Sequence, residues 1–174
     1  MNDIQTYVIR RAFVFPLGLL IGLVVLLLVT CLVQKQPVAK PIILGFLSVP
    51  LVTLFFESVA RRIEISAEGV TARRTLRTMK IPFNQVTGLE AVKVRSRVFI
   101  TLMAGEDDYL IISNSYSHFP KMLKQLIAAL PSNVVSEETR QLANQPTTRQ
   151  ADIVAVWFAV AALIYILLAQ FGVA

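Results

Sequence analysis

From Ala12 to Val33 the chain runs 22 residues without a charge. A helix needs about 20 apolar residues to cross the hydrocarbon core of a bilayer, and it satisfies its own backbone groups there. Two further runs follow. Pro41 to Val59 carries one charge, Glu57, and Ile153 to Gly172 carries none. A 174-residue soluble chain has too little polar residue left to cover three such segments. At 55% apolar residues and a mean hydropathy of +0.64, the composition also lies above that of ordinary soluble domains. The expectation is three transmembrane helices, at 12–33, 41–60 and 152–172.

Arg10-Arg11-Ala12-Phe13 superficially resembles a twin-arginine export signal. The apolar run behind it is too long for the core of a cleaved signal, and no Ala-x-Ala site closes it, so it reads as a retained helix. Pro41 stands where a first helical turn tolerates proline, and Pro50 predicts a kink in the second helix. Asp152 or a neighbour caps the third. Glu57 lies four residues before Arg61, on the same helix face. It reads either as an intramembrane proton or ion site, or as an interfacial partner of Arg61 or Arg62. Gly18-x-x-x-Gly22, and more weakly Ala155-x-x-x-Ala159, match the small-residue spacing that lets helix backbones approach closely. They serve either the chain's own three helices or association with a second copy or a partner. Cys31 is the single cysteine, so no intrachain disulfide forms.

Between the second and third apolar runs lies a polar island, 61–131. Ile63 and Ile65 share one face of an extended run, a turn follows at Ala67-Glu68-Gly69, and a second run continues through Val70, Ala72 and Leu76. Alternation puts Thr71, Arg73, Thr75 and Arg77 on one face and leaves Arg74, oddly, on the apolar one. Val98–Met103 and Tyr109–Ile112 are apolar on both faces, so something beyond the domain's own core is expected to cover them. Glu106-Asp107-Asp108 reads as a solvated turn, since its spacing does not match a calcium loop. Ser117 is the expected N-cap of a helix with Pro120 in its first turn. Phe119, Met122, Leu123, Leu126, Ile127 and Leu130 recur there at helical spacing. Residues 132–151 read as a polar linker, with a short turn of helix near Glu137. Residues 1–11 read as a polar amino terminus.

The series Ile63-x-Ile65, Glu68-Gly69-Val70, Arg73-Arg74, Ile81-Pro82-Phe83 with Val86, and a closing helix resembles the bacterial pleckstrin-homology-like (bPH) domains of small membrane proteins. The resemblance implies an α+β membrane protein: three transmembrane helices plus a PH-like antiparallel sheet or partial barrel capped by one C-terminal helix. It implies no activity, because such folds host unrelated functions.

The formal charge of +6 fits topology better than nucleic-acid binding. Most Arg residues fall on one side of three crossings, and only Lys35 and Lys40 fall on the other. The expected location is a bacterial cytoplasmic (inner) membrane, with the amino terminus and the PH-like domain in the cytoplasm and the carboxyl terminus outside. His118 stands among Ser113, Ser115 and Ser117 without the acid or the nucleophile turn a triad needs. There is no phosphate-binding glycine loop and no zinc spacing, so no enzyme, cofactor or metal is expected. The expected role is that of a scaffold or docking subunit. Its partners are membrane lipid and a partner protein or a second copy, with no nucleic acid. One alternative is recognition of anionic lipid head groups by a basic face of Arg61, Arg62, Arg73, Arg77 and Lys80. Another is an accessory role in a transport or signalling assembly. Helix association is assigned to Gly18, Gly22, Ala155 and Ala159.

Overall fold

A computed structural model of the chain describes residues 4–105, 108–144 and 150–172. In chain order the elements are β1 (Gln5–Val8), α1 (Arg11–Val33), α2 (Ala39–Ala60), β2 (Arg62–Ile65), β3 (Gly69–Arg73) and β4 (Thr78–Pro82). Then come β5 (Val86–Val94), β6 (Arg97–Ala104), β7 (Asp108–Ser113), α3 (Phe119–Ala129), α4 (Glu137–Ala143) and α5 (Ala151–Gln170). They gather into two compact units, Met1–Arg10 with Ala60–Arg149, and Arg11–Val59 with Gln150–Ala174. Of the expected acidic turn, Glu106 and Asp107 lie outside the described residues, as does 145–149 of the expected linker.

The helical unit consists of α1, α2 and α5, each long and apolar enough to cross a membrane. Its core is Leu17, Leu20 and Val160, flanked by Phe13, Leu51, Phe55, Val156, Ala159 and Leu163. Helix α2 runs through Pro50 without interruption. Thr30 Oγ1 donates to the Leu26 carbonyl at 2.9 Å, so the hydroxyl is satisfied within its own helix. Outside the core, large side chains such as Phe15, Val29, Phe46, Phe56 and Phe158 remain exposed.

The strand unit holds two antiparallel sheets, β1-β2-β3-β4 and β5-β6-β7. Alternation sorts their side chains. Tyr7, Ile63, Ile65, Val70, Ala72 and Ile81 of the first sheet are buried, as are Leu89, Val98, Ile100, Leu102, Leu110 and Ile112 of the second. The stripe of α3 buries Phe119, Met122, Leu123 and Leu126. At Gly69 a Cβ would run into the Ile81 carbonyl oxygen and stand 2.8 Å from Pro82 Cα, so β3 and β4 approach closely only because this residue has none.

Four local expectations are corrected. Gln5–Val8, read as part of a polar terminus, is an edge strand paired with β2, Tyr7 opposite Ile63. Tyr7 Oη donates to Gln125 Oε1 at 2.8 Å, which ties β1 to α3. The second run ends at Arg73. Arg74 N donates to the Arg77 carbonyl at 2.9 Å and the chain reverses there, so Thr75 and Arg77 are turn residues. Leu76, expected on the apolar face, is 98% exposed. Ser117 does not cap α3. His118 occupies that position with φ 53° and no side-chain cap bond, and Ser117 N instead donates to the Val8 carbonyl at 2.8 Å.

The segment read as a linker is largely packed. Ser136 caps α4 by accepting from Thr139 N. Ser136 N and Thr139 Oγ1 both donate to the Leu89 carbonyl, at 3.1 and 3.2 Å. A register shift at Val86/Gly88 marks a bulge beside this site. The segment thus covers the outer edge of β5, a device that blunts edge-to-edge pairing.

Candidate functional site

The outer face of the first sheet was the expected basic face. Register places Arg62, Glu64, Thr71, Arg73, Thr78 and Lys80 on it. Arg62 Nε lies 3.5 Å from Glu64 Oε1, and Arg73 Nη2 lies 3.3 Å from Glu64 Oε2. Lys80 Nζ lies 3.7 Å from Glu68 Oε2. Three of the five expected cations therefore meet carboxylates of their own sheet, which lowers the field they offer an external anion. Ile4, Glu64, Glu68, Thr71, Arg73 and Lys80 line a shallow depression there.

The other two expected cations are elsewhere. Arg77 sits in the β3–β4 turn and lines a cleft of about 400 Å³ with Arg74, Ala72 and Met79, opposite Asp108–Ile111 of β7. Arg61 acts with Arg74 on Tyr116. Burial pushes that phenol above its ordinary value, while the two guanidinium groups pull it partly back. The five residues thus divide between two surfaces and do not converge. Arg74 and Leu76, which were not assigned to a site, belong with Arg77. The misfit of Arg74 on an apolar face was the signal that could have revealed the turn.

The outer face of the second sheet is largely apolar, with Glu90, Thr101 and Ser113 set within it. Its cross-strand rows run Val92–Phe99–Ser113, Glu90–Thr101–Ile111 and Gly88–Met103–Tyr109. Their alternate neighbours Val98, Ile100, Leu102, Leu110 and Ile112 are core, so apolarity on both faces reflects one buried face and one open one. Tyr109 is 61% exposed, Val92 56% and Ile111 46%, so among the described residues this patch is open. Among the described residues β7 pairs with β6 alone, and residues of β7 line the cleft that holds Arg74 and Arg77.

In the helical unit a Cβ on Gly18 would lie 3.2 Å from Phe55 Cε2, so this glycine serves packing within the chain. Gly22 has no atom within 4 Å of such a position. Ala159 packs beside the Leu17–Val160 core and Ala155 is exposed. The two small-residue motifs therefore each divide between an inward and an outward member.

Ser113 belongs to β7, and the exposed His118 stands in a left-handed conformation ahead of α3. Among the described residues no three His, Cys, Asp or Glu side chains gather closely enough to hold a metal ion. Comparison with protein-family models, with curated proteins and with solved structures finds no match to this chain.

Proposed function

We propose that the chain is a non-catalytic integral membrane protein whose strand unit docks a partner protein on the outer face of β5–β7. The observation that carries this reading is the patch of exposed Val92, Tyr109 and Ile111 beside half-buried Phe99 and Met103 on that face. Aromatic residues and Met are enriched in the centres of protein interfaces. A β-sheet face presents them at fixed spacing, which suits a scaffold more than a catalyst.

The membrane reading is supported by α1, α2 and α5, whose exposed Phe, Leu and Val side chains match lipid far better than water. The PH-like reading is supported by the order of the strands, four then three, with a buried amphipathic helix after them. In such a fold the α1–α2 hairpin would be an insertion between the first and second strands. That connectivity supports placing the amino terminus and the strand unit on one side of the bilayer. The weight of Arg residues supports the cytoplasmic side of a bacterial inner membrane. A role as accessory subunit of a larger assembly is one form of the same docking function.

A photo-reactive phenylalanine analogue at Tyr109 of the full chain tests the proposal in cells, with the same group at Glu68 as control. The expected result is a discrete cross-linked protein from position 109 and not from 68, which is lost when Ile111→Lys is added. No adduct at 109, or the same products from both positions, would refute the docking face.

A further inference from the structure

We propose that the β3–β4 turn rests in the head-group layer of an anionic leaflet, with Leu76 dipping into the interface between Arg74 and Arg77. The inference relies on the membrane reading above and goes beyond the docking face. Its first ground is connectivity. The last paired row of the first sheet is Val8, Arg62, Arg73 and Thr78. Past Val8 the chain enters α1 at Arg11, and Arg62 follows directly on the end of α2 at Ala60. Three extended residues span at most about 10 Å. The end of the sheet that carries the turn is therefore held by covalent links within about that distance of two apolar helix ends. The turn itself extends two residues past the row, about 7 Å.

The second ground is chemistry. A lone exposed leucine is ordinary. This one is 98% exposed at a turn tip, flanked by two exposed arginines that have no ion-pair partner among the described residues. Asp108 shares their cleft, and no ion pair joins it to either. Arg62, Arg73 and Lys80, by contrast, are matched by Glu64 and Glu68. The opposite end of the sheet carries the β2–β3 turn with Glu68. The sheet is thus polarised along its strands: cations and an aliphatic tip lie where the helices join, and an acid lies at the far end. An aliphatic side chain set between cations is the chemistry of an interfacial contact with anionic lipid.

The test uses the full chain in nanodiscs, with Cys31→Ser as background and one new cysteine carrying an environment-sensitive fluorophore. Positions are Leu76→Cys, Glu68→Cys as the far-end control and Phe46→Cys as the marker of α2 insertion. Quenching by nitroxide-labelled lipid is read in discs with phosphatidylglycerol and in discs of phosphatidylcholine alone. The expected result is several-fold stronger quenching at position 76 than at 68 in anionic discs. It should fall in phosphatidylcholine, and also when Arg74→Gln and Arg77→Gln are introduced. Strong quenching at 46 with none at 76 would overturn the turn contact while leaving the membrane reading standing. Quenching at 76 that ignores both lipid charge and the two arginines would overturn the electrostatic assignment. No quenching at 46 would overturn both.

Discussion

Tyr7 measures whether the first residues of the chain belong to the strand unit. Its side chain is buried, it pairs with Ile63, and its hydroxyl donates to Gln125 on α3. Tyr7→Phe keeps the ring and removes the hydrogen bond, a net loss of about 1 kcal/mol. Tyr7→Ala removes the ring as well. Buried aromatic-to-alanine changes cost about 3–5 kcal/mol, and an edge strand that water can refill belongs at the low end, about 3. At about 1.4 kcal/mol per tenfold, these losses raise local opening about 5-fold and about 140-fold. Amide hydrogen exchange on the full chain in nanodiscs reads opening segment by segment. The faster exchange should appear in β1, β2 and α3, and helices α1, α2 and α5 should be unaffected. Exchange in β2 and α3 that is unchanged by Tyr7→Ala would refute the placement of β1.

Gly69→Ala should destabilise the β3–β4 pair by about 1–3 kcal/mol, because the added carbon meets backbone that cannot step aside; faster exchange confined to the first sheet would show it. Gly18→Leu should displace Phe55 and lower the detergent melting temperature, whereas Gly22→Leu should leave it unchanged. If Gly22 seats a second copy, sedimentation will show Gly22→Leu alone changing the oligomeric state. Tyr116 has a folded pKa raised by burial, so its contribution to stability is full below about pH 10 and is lost as pH rises through the folded value. Melts of wild type and Tyr116→Phe between pH 8 and 11 should diverge only above that point.

The long signals were legible. Three charge-free or nearly charge-free runs define helices by length alone, and the stripe from Phe119 to Leu126 repeats often enough for its period to be read. The short signals were not. β1 has four residues, too few for alternation to speak, and its partner lies beyond two helices. The turn at Arg74–Arg77 holds no Gly, Pro, Asn or Asp, so it lacks ordinary turn chemistry and reads as more strand. That error carried Arg77 onto the wrong surface. The pairing of Glu64 with Arg73 depends on the register between β2 and β3, which no local pattern encodes. The packing of α4 was hidden by its polar composition, because its attachment is two hydrogen bonds to one carbonyl.

The place of the α1–α2 hairpin within the strand order governs how the molecule can be made. β1 leaves the ribosome first, yet its partner β2 arrives about fifty residues later, after two apolar helices. Closing a loop of that length costs little more than closing one half as long, about 0.6 kcal/mol. The real constraint is sequence in time. The edge strand has nothing to pair with until both helices have been made and β2 has followed them. Synthesis of both helices thus precedes completion of the first sheet. Completing that sheet then fastens the two open ends of the hairpin to each other like the clasp of a bracelet.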